Sequence, residues 1–358
     1  MPIPFSLRKS LEHLILFEYI MSMSLRLIEI FHKKGKADDL DFLLKDTPIL
    51  DTWHDHLPDG QTVSNVLIKS ENTEFIIDLV EKYFSPIGSY RLVILPVEAT
   101  IPRPEEPAKE EKTREKTPER ISIEELYQKM TTISETSKKY IIMATIACIV
   151  AAIGLLKDDV AVIIGSMVIA PLLGPNMALS LATTLADFKL ARKAIITNFT
   201  GFSFVLGISI VIGAFMNVDP AMPQIALRSN VSHYYIALAL ATGVAGAYAI
   251  TKGVAEAMVG VMVAVAILPP LVAAGLLFGS KHWIDGTGAL LLSVVNLVCI
   301  NLSGVVTFIL EGIQPKKWWE AKLAKKAVII AITIWVLLLF ILAILILLEQ
   351  KIKLASVS

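Results

Sequence analysis

Charged residues are scarce in this sequence. Asp, Glu, Lys and Arg make up 18% of the 358 residues, apolar residues make up 54%, and the mean hydropathy is +0.64. Ordinary soluble domains contain about 25% charged residues, so this composition excludes a typical soluble protein and indicates a chain that lies largely within a bilayer. The 33 basic and 33 acidic residues cancel, which gives no indication of a nucleic acid or an acidic partner.

Cysteine is scarcer still, with only Cys148 and Cys299. Both lie in apolar runs, where a thiol packs as a small apolar side chain, so we expect no disulfide framework. His54 and His56 would share one face of a predicted strand, but no cysteine or third ligand accompanies them. Because protein metal sites draw on a larger ligand set, we predict no metal site and no cofactor.

Signatures of catalysis and of ATP binding are also absent from the sequence. The chain contains no H-E-x-x-H, no G-x-S-x-G and no Walker sequence, and its apolar segments carry no pair of aspartates. These are the patterns by which metalloproteases, serine hydrolases and P-loop ATPases are recognised. We therefore predict no catalytic residues, and expect neither an enzyme nor a pump driven by ATP.

The first part of the chain is typical of a soluble region. Residues 1–24 form an extension with a basic start, but acidic residues interrupt its apolar part and no cleavage site follows, so we do not interpret it as a signal peptide. Residues 25–97 alternate strand-like and helix-like segments in the order βαββαβ. That order predicts a ferredoxin-like α+β domain, in which two helices cover one face of a four-stranded antiparallel sheet.

A charged linker follows this domain at residues 98–121. Seven glutamates, six basic residues and four prolines lie between residues 98 and 120, a composition typical of a solvated linker. Ser122 and Glu125 then form an S-x-x-E capping box. We therefore predict an amphipathic lead-in helix over residues 122–139.

The rest of the chain contains seven apolar stretches that are candidate transmembrane helices. A helix needs about 20 residues to cross the hydrocarbon core, so the first stretch is short and the second has residues to spare. The first six form a core over residues 140–312, and a basic loop and the seventh occupy residues 313–358. The predicted spans are 140–156, 160–186, 194–218, 229–251, 257–280, 286–310 and 327–348.

Basic residues in the loops set the predicted orientation. If the soluble domain is cytoplasmic, eleven Lys and Arg residues near the spans lie inside and five lie outside. This bias agrees with the excess of basic residues in cytoplasmic loops of membrane proteins. The fold class is thus mainly α, a multi-pass membrane protein preceded by a small cytoplasmic α+β domain.

The second and fifth spans resemble each other. A shift of 95 positions brings Lys157 onto Lys252, and one glycine, one proline and three nearby apolar residues also align. Spans one to three and four to six then form an inverted repeat, since each copy crosses the membrane an odd number of times. Prolines are expected to break the second helix of each copy, at Pro171, Gly174 and Pro175 and at Pro269 and Pro270. Paired broken helices predict a solute site, although prolines also kink membrane helices merely for packing.

Polar side chains near these breaks are the candidate solute path. Amides within a bilayer are costly unless paired, so they mark either helix–helix hydrogen bonds or a polar path. The four amides are Asn176, Asn198, Asn296 and Asn301. Lys252 and Glu256 have i,i+4 spacing at the start of the fifth span, and we expect an ion pair there, at the cytoplasmic mouth.

Longer motifs carry a resemblance to a known family. They are VAVIIGSMVIAPLLGPNMALSLATTLADFKLARKA, then GVAGAYAI with MVGVMVAVAILPPLVAAGLLFG, and LLLSVVNLVCINLSGVVTFILEG. Over about residues 25–315 the chain resembles the prokaryotic membrane family called domain of unknown function three-eight-nine, or the uncharacterised hydrophobic domain family. The resemblance implies an integral membrane protein of the prokaryotic cell (plasma) membrane and no particular activity.

Two functions remain open from the sequence. The first is a transporter or channel for a small ion or polar solute, with a cytoplasmic regulatory domain. The second is a membrane-anchored sensor or scaffold, in which the ferredoxin-like domain binds a ligand or partner and small residues such as Gly165 and Gly207 serve helix packing. The expected partners are the lipid bilayer, the solute and further copies in a homo-oligomer, with no nucleic acid.

Overall fold

A computed structural model describes most of the chain, in two compact units, Met1–Glu125 and Leu126–Ser358. The described residues are 25–33, 36–45, 47–58, 60–86, 90–97, 100, 121–229, 233–254, 256–314 and 328–346, without the side chains of 233 and 256–265. The predicted N-terminal extension and most of the predicted linker and basic loop therefore lie outside the described residues.

The first unit holds a four-stranded antiparallel sheet with the strand order β2-β3-β1-β4. Alternating apolar residues place Ile28 opposite both Val66 and Ile94 on one face of the sheet. That face packs against two helices, α1 and α2, and forms the core of the unit. The elements are β1 (Leu25–Lys33), α1 (Ala37–Leu44), β2 (Ile49–His56), β3 (Gln61–Lys69), a 3₁₀ turn (Ser70–Asn72), α2 (Thr73–Phe84) and β4 (Arg91–Val97). The predicted sheet and its helices are confirmed.

The second unit is helical, and its boundary with the first falls within α3. Side-chain caps fix where three helices begin: Ser137 accepts a hydrogen bond from the Tyr140 amide at the start of α4, Asp159 caps α5 and Asp187 caps α7. The Ser137 cap divides the predicted lead-in helix from the first span. The helices are α3 (Ile123–Ile133), α4 (Lys138–Leu156), α5 (Val160–Ile169), α6 (Leu173–Leu185), α7 (Phe188–Phe215), α8 (Pro223–Ser229), α9 (His233–Thr251), α10 (Glu256–Gly279), α11 (Trp283–Leu310) and α12 (Val328–Ile346).

The apolar helices make this a membrane protein. Among the described residues five helices, namely α4, α7, α9, α11 and α12, are long and apolar enough to cross a membrane, and six spans result if α5 and α6 count as one. The axes of α5 and α6 differ by 55° across a short break. This confirms that the second predicted span is broken at Pro171, whereas Gly174 and Pro175, the other residues of the predicted break, lie in the first turn of α6.

The predicted break at Pro269 and Pro270 is wrong, because α10 continues as one helix through both prolines. A proline at position 270 removes the amide that would donate to the carbonyl of Ala266. The side chain of Asn296 replaces it, since its Nδ2 donates to Ala266 O at 2.7 Å. An amide from the neighbouring helix α11 therefore satisfies the carbonyl that the proline frees.

Helices α7 and α10 of the second unit pack closely against each other. On α7, a Cβ added to Gly213 would clash with the backbone of Leu276, so a side chain there would push α7 and α10 apart.

Helices α4 and α9 each have 19 residues, and α7 and α11 each have 28. In both pairs the second helix begins 95 positions after the first.

Candidate functional site

Helix α6 is the polar centre of the second unit. It has 13 residues, and those that are buried include Asn176, Ser180 and Thr184. Such a helix is too short to cross the hydrocarbon core, which takes about 20 residues. It packs against both α7 and α11, so its polar side chains face protein on more than one side.

Three side chains form a hydrogen-bonded cluster between α6 and α11, here called the amide cluster: Asn176, Ser180 and Asn301, all fully buried. The Nδ2 of Asn301 donates to Asn176 Oδ1 at 3.2 Å, and Ser180 Oγ lies 3.2 Å from Asn301 Oδ1. The Nδ2 of Asn176 also donates to the Leu172 carbonyl at 2.7 Å, within the break. The structure thus brings together two of the four predicted amides.

The break between α5 and α6 leaves backbone groups without helical partners. Residues 171 and 175 are prolines, so the carbonyls of Met167 and Pro171 have no amide four residues further on. Pro175 lies within the first turn of α6, where a missing amide costs no helical bond. Leu172, the cap residue of α6, makes no side-chain capping bond to the first amides of that helix.

The end of α3 covers this break. A Cβ added to Gly174 would lie 3.0 Å from the Ile133 carbonyl oxygen, so a larger residue at this position would require Ile133 to shift. The next residue, Ser134, accepts a hydrogen bond from Thr197 Oγ1 on α7 at 2.7 Å. Residues 133 and 134 therefore lie against the start of α6 and against α7 beside Asn198.

Asn198 is buried in α7 without a hydrogen-bond partner. It is 6% exposed, and within the described part of the chain neither its amide nitrogen nor its oxygen finds a partner. An unpaired amide costs free energy inside a protein. The neighbouring Thr197 hydroxyl, in contrast, contacts both Ser134 O and Thr136 Oγ1. Asn198 is thus the predicted site residue whose polar atoms remain free.

Asn296 has one satisfied atom and one free atom. Its Nδ2 donates to Ala266 O, whereas its Oδ1 has no partner among the described residues. One turn earlier, Ser293 Oγ donates to the Ile267 carbonyl at 3.3 Å. Helix α11 therefore places two polar side chains against the proline-containing part of α10.

The predicted ion pair of Lys252 and Glu256 is only partly described. Lys252 Nζ lies 3.5 Å from Glu311 Oε2, and 5.1 Å from the centre of the Tyr248 ring. The side chain of Glu256 lies outside the described residues, so the Lys252–Glu256 pair stays a prediction. Glu311, which follows α11, is a partner that the i,i+4 spacing does not indicate.

Sequence reasoning missed the hydroxyl groups of the site. Ser180 follows Asn176 by four residues and therefore lies on the same face of the helix. This spacing could have identified Ser180 from the sequence. No sequence signal identifies Ser293, because its contact with α10 depends on how two helices pack. In the described part of the second unit, no Asp, Glu, Lys, Arg or His side chain is buried.

An ionisable pair lies outside the spans, at the start of α7. Tyr127 on α3 donates a hydrogen bond of 2.6 Å to the Asp187 carboxylate. This bond, with burial, raises the pKa of Tyr127. Burial also acts to raise the pKa of Asp187, but the hydrogen bonds from Tyr127 and the amides of Leu190 and Lys189 outweigh it, so that pKa is lowered. The charged carboxylate thereby anchors α3 to α7.

Two histidines of the first unit, His32 and His54, take part in a chain of hydrogen bonds. His54 joins Asp41 through Nε2 at 3.0 Å and Ser64 Oγ through Nδ1 at 2.7 Å, and Ser64 Oγ also lies 2.7 Å from His32 Nε2. Ser64 is fully buried, so a substrate cannot reach its hydroxyl. The described residues contain no group of three potential metal-binding side chains.

Comparison with known proteins places the site within a shared segment. The profile of the family described as "Domain of unknown function (DUF389)" matches residues 167–302. The chain is also similar to the uncharacterized protein MJ0678 of Methanocaldococcus jannaschii, at 37% identity over 318 residues, which are 88% of this chain and 97% of that protein. No solved structure matches the chain. The matched segment extends from the end of α5 to α11 and includes all four predicted amides.

Proposed function

This chain belongs to the family defined by the domain of unknown function DUF389, and from that premise we propose that it is a transporter or channel for a small ion or polar solute. The observation that carries the proposal is the break between α5 and α6 beside the amide cluster. Broken helices with free backbone groups at membrane depth are tolerated where they are buried in protein, line a cavity or bind a solute. We also propose that the protein is not an enzyme and uses no cofactor.

The proposed architecture has seven spans, of which the first six form an inverted repeat. Equal helix lengths and the constant displacement of 95 positions between α4 and α9 and between α7 and α11 support the repeat. Helix α10, with 24 residues, is long enough to be a further span. The break occurs in one copy only, so the proposed site is asymmetric.

We further propose that the first unit is a ferredoxin-like domain with a regulatory role. Its strand order β2-β3-β1-β4 and its βαββαβ sequence are those of that fold. The bias of basic residues among the loops supports a cytoplasmic position. The archaeal relative supports a location in the cell membrane of a prokaryote.

The alternative function is a sensor or scaffold that assembles through the membrane helices. It is favoured by Gly165 and Gly207, which would meet nothing within 4 Å if a Cβ were added. Small residues on outward helix surfaces allow close approach of another helix, and a homo-oligomer would supply one. This alternative gives the amide cluster a purely structural role.

A matched pair of serine variants separates these functions. Ser180 and Ser209 are both fully buried, and each hydroxyl lies within hydrogen-bond distance of the carbonyl four residues earlier. Only Ser180 belongs to the amide cluster, whereas Ser209 contacts Cys148 Sγ at 3.2 Å. In proteoliposomes, Ser180→Ala should lower solute flux several-fold and Ser209→Ala should leave it unchanged. Equal flux in both variants, with wild-type flux above that of empty liposomes, would contradict the proposed path.

A further inference from the structure

The buried interior around the proposed site carries no fixed charge. In the described part of the second unit, no Asp, Glu, Lys, Arg or His side chain is buried, and the Lys193–Glu135 ion pair near the end of α3 is partly exposed. An ion that enters such a region loses its hydration without gaining an opposite charge. An uncharged polar molecule loses only hydrogen bonds, which neutral groups can replace.

The break offers hydrogen-bond donors and acceptors together. The carbonyls of Met167 and Pro171 are acceptors without helical donors, because prolines occupy the positions four residues later. The amides of Leu173 and Gly174 lie in the first turn of α6, which has no side-chain cap. Carbonyls alone would suit a cation and amides alone an anion. Their combination suits a neutral molecule that both donates and accepts.

Asn198 supplies the second, independent observation. Its amide is both donor and acceptor, is 6% exposed, and has no partner among the described residues. The end of α3 connects it to the break, because Ile133 contacts Gly174 while Ser134 binds the neighbouring Thr197. Helix α7 packs directly against α6. A ligand between these helices would satisfy the free amide.

We propose that Asn198 and the break between α5 and α6 bind a small uncharged polar solute that has both a hydrogen-bond donor and an acceptor, of the class of urea, simple amides and polyols. This inference rests on the proposed transport function and narrows its substrate class. Asn198 contacts the solute directly. The amide cluster, whose polar atoms already have partners, holds the break open beside it.

The test uses the purified full chain in proteoliposomes. Entry of urea, acetamide and glycerol is followed by stopped-flow light scattering, and membrane current is recorded in sodium and potassium chloride. We expect faster entry of at least one solute than in empty liposomes, with no current. Asn198→Leu should slow that entry about tenfold through the loss of two hydrogen bonds. Asn198→Gln keeps the amide and should retain most of the entry rate. Ser209→Ala is the control and should leave the entry rate unchanged.

The possible results separate the substrate class, the binding site and the transport function. A current or an ion flux without solute entry would overturn the uncharged substrate class and leave transport standing. Solute entry that Asn198→Leu does not change would overturn the site. If the protein conducts neither solutes nor ions, both this inference and the proposed function fail.

Discussion

The interaction between Asn296 and the proline-containing helix α10 gives a quantitative prediction. Pro270 deprives the Ala266 carbonyl of its helical donor, and Asn296 Nδ2 supplies another at 2.7 Å. Changing Asn296 to Leu leaves that carbonyl buried without a donor. The expected loss is about 1–3 kcal/mol in the free energy of unfolding.

The same substitution should cost less when Pro270 is replaced by alanine. An alanine at that position carries an amide that donates to Ala266 O within the helix, so Asn296 is no longer needed there. The free Oδ1 of Asn296 is removed in both backgrounds, so its contribution cancels in a double-mutant cycle. The expected coupling between positions 270 and 296 is about 1–2 kcal/mol.

Unfolding of the four proteins in detergent, followed by denaturant or by melting temperature, measures this coupling. Pro270→Ala alone should hold or raise stability, because proline disfavours a helix interior by about 3 kcal/mol. Asn198→Leu serves as the comparison, since it removes an amide without partners and should cost little. An equal cost of Asn296→Leu in both backgrounds would refute the idea that this side chain compensates for the proline.

Three further predictions concern the rest of the chain. The pKa of Asp187 is lowered in the fold, so its hydrogen bond from Tyr127 stabilises the protein at neutral pH and is lost as the carboxylate protonates. Tyr127→Phe should therefore lower the melting temperature at pH 7 and have little effect well below pH about 4. Residues 23–97 expressed alone should unfold cooperatively, because the sheet and helices enclose their own core, and a disordered circular dichroism spectrum would contradict this. In a variant without Cys148 and Cys299, a cysteine at Arg228 should react with an impermeant reagent from outside intact cells, whereas one at Lys189 should not; the reverse pattern would invert the proposed orientation.

Proline patterns in the sequence predicted one break correctly and one wrongly, and the structure explains the difference. At the shift of 95 positions, Asn296 corresponds to Gly201, which has no side chain to satisfy a free carbonyl. The carbonyl of Pro171, which corresponds to that of Ala266, therefore lacks an equivalent donor. The first copy also has Pro171 itself, where the second has an alanine. The local sequence shows where a proline removes a helical hydrogen bond. Whether the helix breaks there depends on whether a neighbouring helix supplies a donor to the freed carbonyl.

The candidate site was predictable in its residue types and only partly in its contacts. The four amides stand out because amides are rare in apolar runs, and two of them do meet in the amide cluster. The free state of Asn198 and the contact between Ile133 and Gly174 could not be predicted, since both depend on how α3, α6 and α7 pack. The sheet order of the first unit, in contrast, follows from the alternation of short segments.

The central claim is that the break beside α6 lies on a polar path through the membrane, and water access tests it most directly. In a cysteine-free variant, single cysteines are placed at Asn176 and at Ala178, both fully buried residues of α6 that point to opposite sides of the helix because they are two positions apart. The proteins in sealed vesicles are treated with a small, membrane-impermeant thiol reagent from each side. We expect the cysteine at position 176 to react and the one at position 178 to remain unmodified. Failure of both cysteines to react from either side would contradict a solute path at the break.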